Sequence, residues 1–349
     1  MKKITSLLLV VLLVVLNFTG CKNNKNKYTD YSFDYFDTVT TIVGFEKTEE
    51  EFNKNCTRIK EQLATYHKLY NIYNTYENTR NICNINQLVS DKHSTIYVDQ
   101  KIIDLLLFSK DMYTLTHGKV NIAMGSVLSI WHQYREEGLN NPDSAKIPPI
   151  EVLKNLNKHT NIDDVVINTE NNSVLLLDVD LKLDVGAVAK GYAAEQTAAW
   201  MQKQGFNGYL LNIGGNVKTV GKRPDGKKWK VGIENPNTDD TENPYIEYLE
   251  LDDMSLVTSG SYQRFYTVKG INYHHIIDPN TLMPSDYFLS VSVVCKDSAK
   301  ADALSTALFS MTYEEGAKLV KDIDDAEVMW VYKDGKKSYS EGFKNYCYK

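Results

Sequence analysis

The chain has 349 residues, enough for one large domain or two modest ones. Its formal net charge at pH 7 is −6. Because a surface that binds nucleic acid is usually basic, this charge argues against nucleic acid as the main partner.

The N-terminus has the pattern of an export signal. Lys2 and Lys3 precede an apolar run over residues 4–16, which is too short to span a bilayer comfortably. Thr19-Gly20 then stand directly before Cys21, as in a bacterial lipobox. We therefore expect a lipoprotein signal peptide over residues 1–20, lipidation of Cys21, and a polar tether over residues 21–31.

This pattern predicts a cell-membrane protein that is lipid-anchored on the extracytoplasmic face. Phe18 stands where such boxes normally carry an aliphatic residue, so a plain signal peptide or an uncleaved anchor remains the alternative. The four other cysteines are widely scattered and have no metal-site spacing, which favours buried or incidental thiols, although one disulfide stays possible.

The first half of the chain predicts one strand and two helices. Alternation over residues 31–45 indicates a strand, and apolar spacing indicates helices over 49–70 and 102–114. A polar turn is expected between residues 70 and 86, and a loop over 141–149.

The second half of the chain predicts many strands and two further helices. A hairpin is expected from 165–167 and 173–177, and helices over 186–204 and 299–311, the latter with Ser298 as its N-cap. Strands are expected over 181–184, 209–212, 229–233, 245–251, 255–258, 264–269 and 290–294. This order favours an α+β fold with a mixed, mainly antiparallel sheet and packed helices.

Three side chains of the last predicted helix suggest a cation site. Asp302, Ser305 and Thr306 are spaced three and four residues apart, so their oxygens share one helical face. An oxygen-only set suits Mg²⁺ or Ca²⁺ better than zinc or copper. The plain alternative is an amphipathic helix whose polar face meets water.

Two other segments carry polar residues at the ends of predicted elements. Asp184 to Lys190 crosses from a strand into a helix, whose first N–H groups attract anions. His274 and His275 are adjacent in the sequence. Because adjacent residues of a strand point to opposite faces, the two rings are not expected to share a zinc ion. Asp178-x-Asp180 lacks the glycine that a calcium loop requires.

These segments, taken together and in order, resemble the ApbE family of FAD-dependent protein flavinyltransferases. The matching motifs are Phe36-Asp37-Thr38, the 122–125 turn, 184–192, 212–216, 258–264, 275–279 and 301–306. The resemblance covers about residues 32–311 and implies an ApbE-like (T-fold-like) flavin transferase domain, which we assign to residues 32–349.

The resemblance also implies a set of site residues. Asp302 and Thr306 correspond to side-chain Mg²⁺ ligands, with the carbonyl of Ala187, whereas Ser305 stands where some members have a second Asp. Tyr76 best matches an aromatic residue that stacks on the adenine, with Tyr73 as its rival. The implied flavin contacts are Phe36, Ala123, Met124, Gly125, Asp184, Lys190 and Ile277.

The activity that the resemblance implies is Mg²⁺-dependent transfer of the FMN moiety of FAD to a Thr or Ser hydroxyl of another protein, with release of AMP. Asp302 then acts through the metal, His275 accepts the hydroxyl proton, and Arg264 assists the phosphates. His275 could instead only order the Asp278-Pro279 turn.

The expected acceptors are exported electron-transfer flavoproteins, such as Rnf- or Nqr-type subunits with FMN-binding domains. Two alternatives use the same site: an FAD pyrophosphatase that produces FMN and AMP, and a lipid-anchored flavin-binding protein without activity.

Overall fold

The computed structural model describes residues 25–89 and 95–349. The predicted signal peptide and the lipidation site Cys21 lie outside these residues. Part of the predicted tether lies within the described residues. Because the first strand begins at Asn26, residues 26–31 belong to the folded domain.

The described chain contains eight α-helices and fifteen strands. The helices are α1 (Glu49–Tyr70), α2 (Ile82–Val89), α3 (Gln100–Leu115), α4 (Gly125–Asn140), α5 (Ile150–Leu156), α6 (Ala189–Lys203), α7 (Ser298–Phe309) and α8 (Tyr313–Lys321). The strands are β1 (Asn26–Tyr35), β2 (Thr38–Glu46), β3 (Ile96–Tyr97), β4 (Val165–Asn168), β5 (Ser173–Leu176), β6 (Tyr209–Ile213), β7 (Asn216–Val220), β8 (Trp229–Glu234), β9 (Tyr245–Leu251), β10 (Ser255–Gly260), β11 (Phe265–Val268), β12 (Ile271–His274), β13 (Phe288–Cys295), β14 (Ala326–Tyr332) and β15 (Lys337–Tyr339).

An eight-stranded sheet organises the molecule, with strand order β1-β2-β6-β7-β10-β13-β14-β15. Every pairing in it is antiparallel. Side chains alternate across it: Tyr209, Leu211 and Ile213 pack with α1 and α6, whereas Leu210 faces the other side. The α+β prediction is confirmed.

Smaller sheets complete the fold. The β8–β9 hairpin packs Trp229 and Leu249 against Leu256 and Met329 on the second face of the large sheet. The β11–β12 hairpin packs on α4, where Tyr266 lies against Gly138. A three-stranded sheet of order β3-β5-β4 contains the predicted 165–177 hairpin, which is confirmed.

Several local predictions were wrong for identifiable reasons. The expected single strand over 31–45 is the β1–β2 hairpin, because Phe36 and Asp37 both adopt positive φ, 56° and 51°. The polar segment 70–86 contains the start of α2. Helix α7 is capped by Asp297, whose carboxylate accepts the N–H groups of Ala299 and Lys300, and not by Ser298.

Other elements gave no clear sequence signal. The expected strand over 181–184 is reduced to one parallel bridge between Lys182 and Met124. No sequence prediction covered α4, α5, α8, β3, β7, β14 or β15.

The described cysteines form no disulfide: Cys56, Cys83 and Cys295 are buried, and Cys347 is half-buried. This matches the preferred interpretation of incidental thiols. Within residues 25–89 and 95–349, no helix has the length and apolar character needed to cross a bilayer.

Candidate active site

A cleft of about 260 Å³ opens beside the end of β10. Its walls come from the start of α6, one face of α4, the first residue after β12 and one face of α7. Among the predicted site residues, its lining includes Met124, Asp184, Ala187, Lys190, His275, Ile277, Asp302 and Thr306.

The crossing of α6 and α7 fixes Asp302. The N–H of Gly191 donates a hydrogen bond of 2.7 Å to Oδ2 of Asp302. A Cβ at position 191 would overlap both Cβ of Asp302 and the carbonyl oxygen of Ser298, so only glycine permits this approach. The two helices therefore hold the carboxylate rigidly against the cleft.

Asp302 is a buried carboxyl group at the edge of the cleft. Its side chain is buried, and no basic group among the described residues forms a salt bridge with it. Burial raises its pKa, and Lys190, the Gly191 N–H and the side-chain amide of Asn216, which also lines the cleft, oppose this rise.

These groups fit a hard cation. Asp302, Thr306 one turn later and Ala187 all line the cleft, and the carboxylate, hydroxyl and carbonyl groups that they offer are oxygen ligands. A cation there would offset the negative charge of the ionised carboxylate in this buried place. We conclude that the three residues can hold Mg²⁺.

Ser305 does not face the cleft. Its hydroxyl is fully buried and bonds to Oγ of Ser259 at 2.8 Å and to the carbonyl of Asp302 at 3.0 Å. These contacts make Ser305 a support for α7 against β10 and turn its oxygen away from the proposed ion.

Asp184 and Lys190 bracket the start of α6. Asp184 accepts the N–H of Gly186 at 2.8 Å, which shapes the turn into the helix. Burial raises the pKa of Asp184, while this hydrogen bond, His132 and Lys190 oppose the rise. Lys190 is the second residue of α6 and adds a positive charge that acts on both Asp184 and Asp302.

His275 faces the cleft with one ring nitrogen free to accept a proton. Its Nδ1 lies 3.2 Å from the carbonyl oxygen of Arg264, which can only accept, so Nδ1 carries the hydrogen and Nε2 the lone pair. The cleft walls reduce the hydration of the accessible ring, and Arg264 and Lys190 add positive charge; together they lower its pKa to about 3. The ligand-free imidazole is therefore neutral near pH 7.

His274, and not His275, is the buried histidine that orders the surrounding backbone. His274 is buried, its Nε2 lies 2.7 Å from the carbonyl of Ser285, and its Nδ1 accepts the N–H of Ile276. The two rings therefore point to opposite sides of the chain, as the alternation of side chains along a strand predicts.

Three predicted flavin contacts do not line this cleft. Ala123 is fully buried in the core. The N–H of Gly125 donates a hydrogen bond to the carbonyl oxygen of Lys182. A Cβ at position 125 would overlap this carbonyl, so the close approach requires glycine. Phe36 lines a smaller adjoining pocket, together with Asp37 and His67.

Tyr73, and not Tyr76, lines both the cleft and the adjoining pocket. The Tyr76 hydroxyl instead forms hydrogen bonds of 3.1 Å with Asn71 and with His67. Tyr73 is half exposed, and its ring lies 4.8 Å from the ring of His132. The geometry therefore favours Tyr73 as the adenine-stacking residue.

Sequence reasoning missed several residues of the cleft. Lys119 lines it and forms a 2.8 Å ion pair with the buried carboxylate of Asp278. His132 and Arg135 project from α4, a helix without a clear sequence signal. The one sequence signal for His132 and Arg135 is their spacing of three residues, which places both on one face of a helix.

A separate acidic cluster lies around His159. Its Nδ1 is 2.7 Å from Asp178 and its Nε2 is 3.9 Å from Asp180. The imidazole lies between the two carboxylates, and neither carboxylate lines the cleft.

Comparison with known proteins now decides the family. A sequence profile described as the ApbE family matches residues 35–330. The chain belongs to the ApbE family. The resemblance drawn from the motifs is thereby confirmed.

Named relatives and solved ApbE structures agree with this result. A FAD:protein FMN transferase of Klebsiella pneumoniae is 30% identical over 68% of this chain and 71% of its own. One of Vibrio cholerae is 27% identical over 98% of this chain and 99% of its own. The crystal structure of the Thermotoga maritima ApbE protein superposes with a TM-score of 0.79 and 26% identity, covering 93% of this chain and all of that one.

Proposed function

We propose that this chain transfers the FMN moiety of FAD to a threonine or serine hydroxyl of another protein and releases AMP. The observation that carries this proposal is one cleft in which the oxygens of Asp302 and Thr306 lie with the free Nε2 of His275. The names of the ApbE relatives support the same reaction.

The reaction is a substitution at phosphorus. The acceptor hydroxyl oxygen forms a bond to the FMN phosphorus, and the bond from that phosphorus to the bridging oxygen breaks. AMP leaves with the bonding electron pair, and the hydroxyl proton passes to Nε2 of His275. Lys190 and Arg264 place positive charge along the cleft, where the pyrophosphate oxygens would lie.

We further propose that the reaction depends on Mg²⁺ held by Asp302, Thr306 and the carbonyl of Ala187. A bound Mg²⁺ supplies charge neutralisation for the phosphates. Asp302→Asn keeps the shape of the side chain and removes its charge. We expect this variant to lose Mg²⁺-dependent AMP release and Mn²⁺ binding by calorimetry, and normal binding would contradict the metal assignment.

One assay separates the transferase from its two alternatives. The purified chain is incubated with FAD, Mg²⁺ and a recombinant FMN-binding domain, and both in-gel flavin fluorescence and AMP are measured. Labelled acceptor with AMP supports transfer. AMP with free FMN indicates an FAD pyrophosphatase, and neither product indicates a flavin-binding protein.

We also propose lipid anchoring at Cys21 on the extracytoplasmic face, where acceptors of the Rnf or Nqr type would be reached. The support is the N-terminal sequence pattern. Because β1 begins at Asn26, the tether would comprise only residues 21–25. Cys21→Ser should move the protein from the membrane fraction to the soluble fraction, and unchanged membrane retention would contradict lipidation.

A further inference from the structure

Arg135 is a basic residue on the α4 wall of the cleft. The same side of α4 also carries Leu128 and His132 into the cleft. The ring of His275 contacts the carbonyl oxygen of Arg264, whereas the guanidinium of Arg135 contacts His132 and Glu136 of its own helix. Among these hydrogen bonds of the described residues, none joins Arg135 to the proton acceptor.

The guanidinium of Arg135 has donors to spare. Its Nη2 lies 2.9 Å from Nδ1 of His132 and 3.2 Å from Oε1 of Glu136, and Glu136 is half exposed. A guanidinium carries five N–H donors, and both contacts use one nitrogen. Within residues 25–89 and 95–349, its Nε and Nη1 have no hydrogen-bond acceptor, although the side chain is only 20% exposed.

His132 connects Arg135 to Tyr73. Because Arg135 can only donate, Nδ1 of His132 accepts and its proton sits on Nε2, which is a further donor. The ring of Tyr73 lies over that of His132, with 33° between their planes. A guanidinium thus stands beside the aromatic residue that geometry favours for the adenine.

The order of groups in FAD then identifies the ligand. The adenylate phosphate lies between the FMN phosphate and the adenosine. A cation that contacts the neighbour of Tyr73, and not His275, is placed for the adenylate phosphate. We infer that Arg135, supported by His132, binds the adenylate phosphate of FAD and so selects FAD over flavins that lack it. This inference rests on the proposed function.

The test uses Arg135→Gln and measures binding by calorimetry with Mg²⁺ and three probes: FAD, AMP and riboflavin. We expect the affinities for FAD and AMP to fall at least about tenfold, as for a lost charge-assisted hydrogen bond, with riboflavin binding unchanged. Arg58→Gln is the matched control: Arg58 is also a helical arginine bonded to a side chain, Gln204, but lies outside the cleft. It should match the unmodified chain.

Glu136→Gln provides a second variant, which neutralises the carboxylate that pairs with Arg135. AMP affinity should be kept or increased. Unchanged AMP binding in Arg135→Gln, an equal loss for riboflavin, or weaker AMP binding in Glu136→Gln would each overturn the inference. If the unmodified chain binds neither FAD nor AMP, the proposed function is overturned as well. If the unmodified chain binds both and Arg135→Gln binds them equally well, only the role of Arg135 is overturned.

Discussion

Gly191 shows how one position without a side chain can position a candidate metal ligand. Its N–H holds Oδ2 of Asp302, and its missing Cβ lets α6 approach α7. Held in this way, the carboxylate loses little further conformational freedom when a cation binds, which favours affinity.

Gly191→Ala should therefore weaken both the fold and the site. The added Cβ meets backbone as well as Asp302, so we expect a loss of about 1–3 kcal/mol in the free energy of unfolding. Urea denaturation and Mn²⁺ calorimetry measure the two effects. Gly316→Ala in α8 is the control, because its Cβ would meet side chains only, the flexible Leu308 at 3.1 Å and the Trp330 ring at an ordinary contact distance of 3.6 Å. Equal Mn²⁺ affinity in the two variants would refute this role of Gly191.

His275 makes a prediction about pH. Its pKa is 6.5 when unperturbed and about 3 in the folded, ligand-free chain. Between these values the unfolded state binds a proton that the folded state does not, so this residue lowers stability as pH falls from 6.5 toward 3. His275→Asn should show a shallower decline of urea stability between pH 7 and 4.5, measured without metal. An identical decline in both proteins would show that the pKa is not depressed.

The sequence could predict which residues supply chemistry but not every direction in which they point. Asp302, Asp184, Lys190 and His275 stand at helix faces and strand ends, whose periodicity is readable, and all four line the cleft. Tyr73 and Tyr76 lie in an irregular loop with no period. Their roles depend on hydrogen bonds to Asn71 and His67 that only the folded chain reveals.

At the scale of elements, a buried ion pair ties together two loops that carry the cleft. Lys119 precedes α4, and Asp278 follows β12. The side chains are only 10% and 3% exposed, and Asp278 also accepts the N–H of Asn280. The pair thus holds the turn after His275 against the wall that carries Met124.

Lys119→Met should be strongly destabilising, because it leaves the Asp278 carboxylate buried without its partner. We expect a loss of about 3 kcal/mol by urea denaturation. The control is Lys154→Met, whose pair with Glu151 is 61% and 80% exposed and should contribute less than about 0.5 kcal/mol. Similar losses in the two variants would contradict the tie between the loops.

Elements were predictable where one face is buried with a regular period. Helix α1 was predicted with its observed bounds, because Phe52, Cys56, Ile59 and Leu63 form one buried stripe. Helix α4 was missed, since its cleft face mixes Met124, Leu128, His132 and Arg135 and so lacks an apolar stripe. The β1–β2 turn was missed because Phe36 and Asp37 adopt positive φ without glycine.

At the scale of the molecule, the sheet accounts for the position of the cleft. β10 pairs with β7 only over Ser255–Val257 and runs on past it to Gly260. Thr258, Ser259 and Gly260 then line the cleft, which α4, α6 and α7 close from the sides.

The central claim is that the FMN group ends on an acceptor side chain. The most direct measurement is the intact mass of an FMN-binding domain after incubation with the chain, FAD and Mg²⁺, beside the same domain with its acceptor Thr replaced by Val. We predict a mass increase of one FMN less one water, with one AMP per label, and no increase for the Val variant. AMP and free FMN without any mass increase would contradict the account.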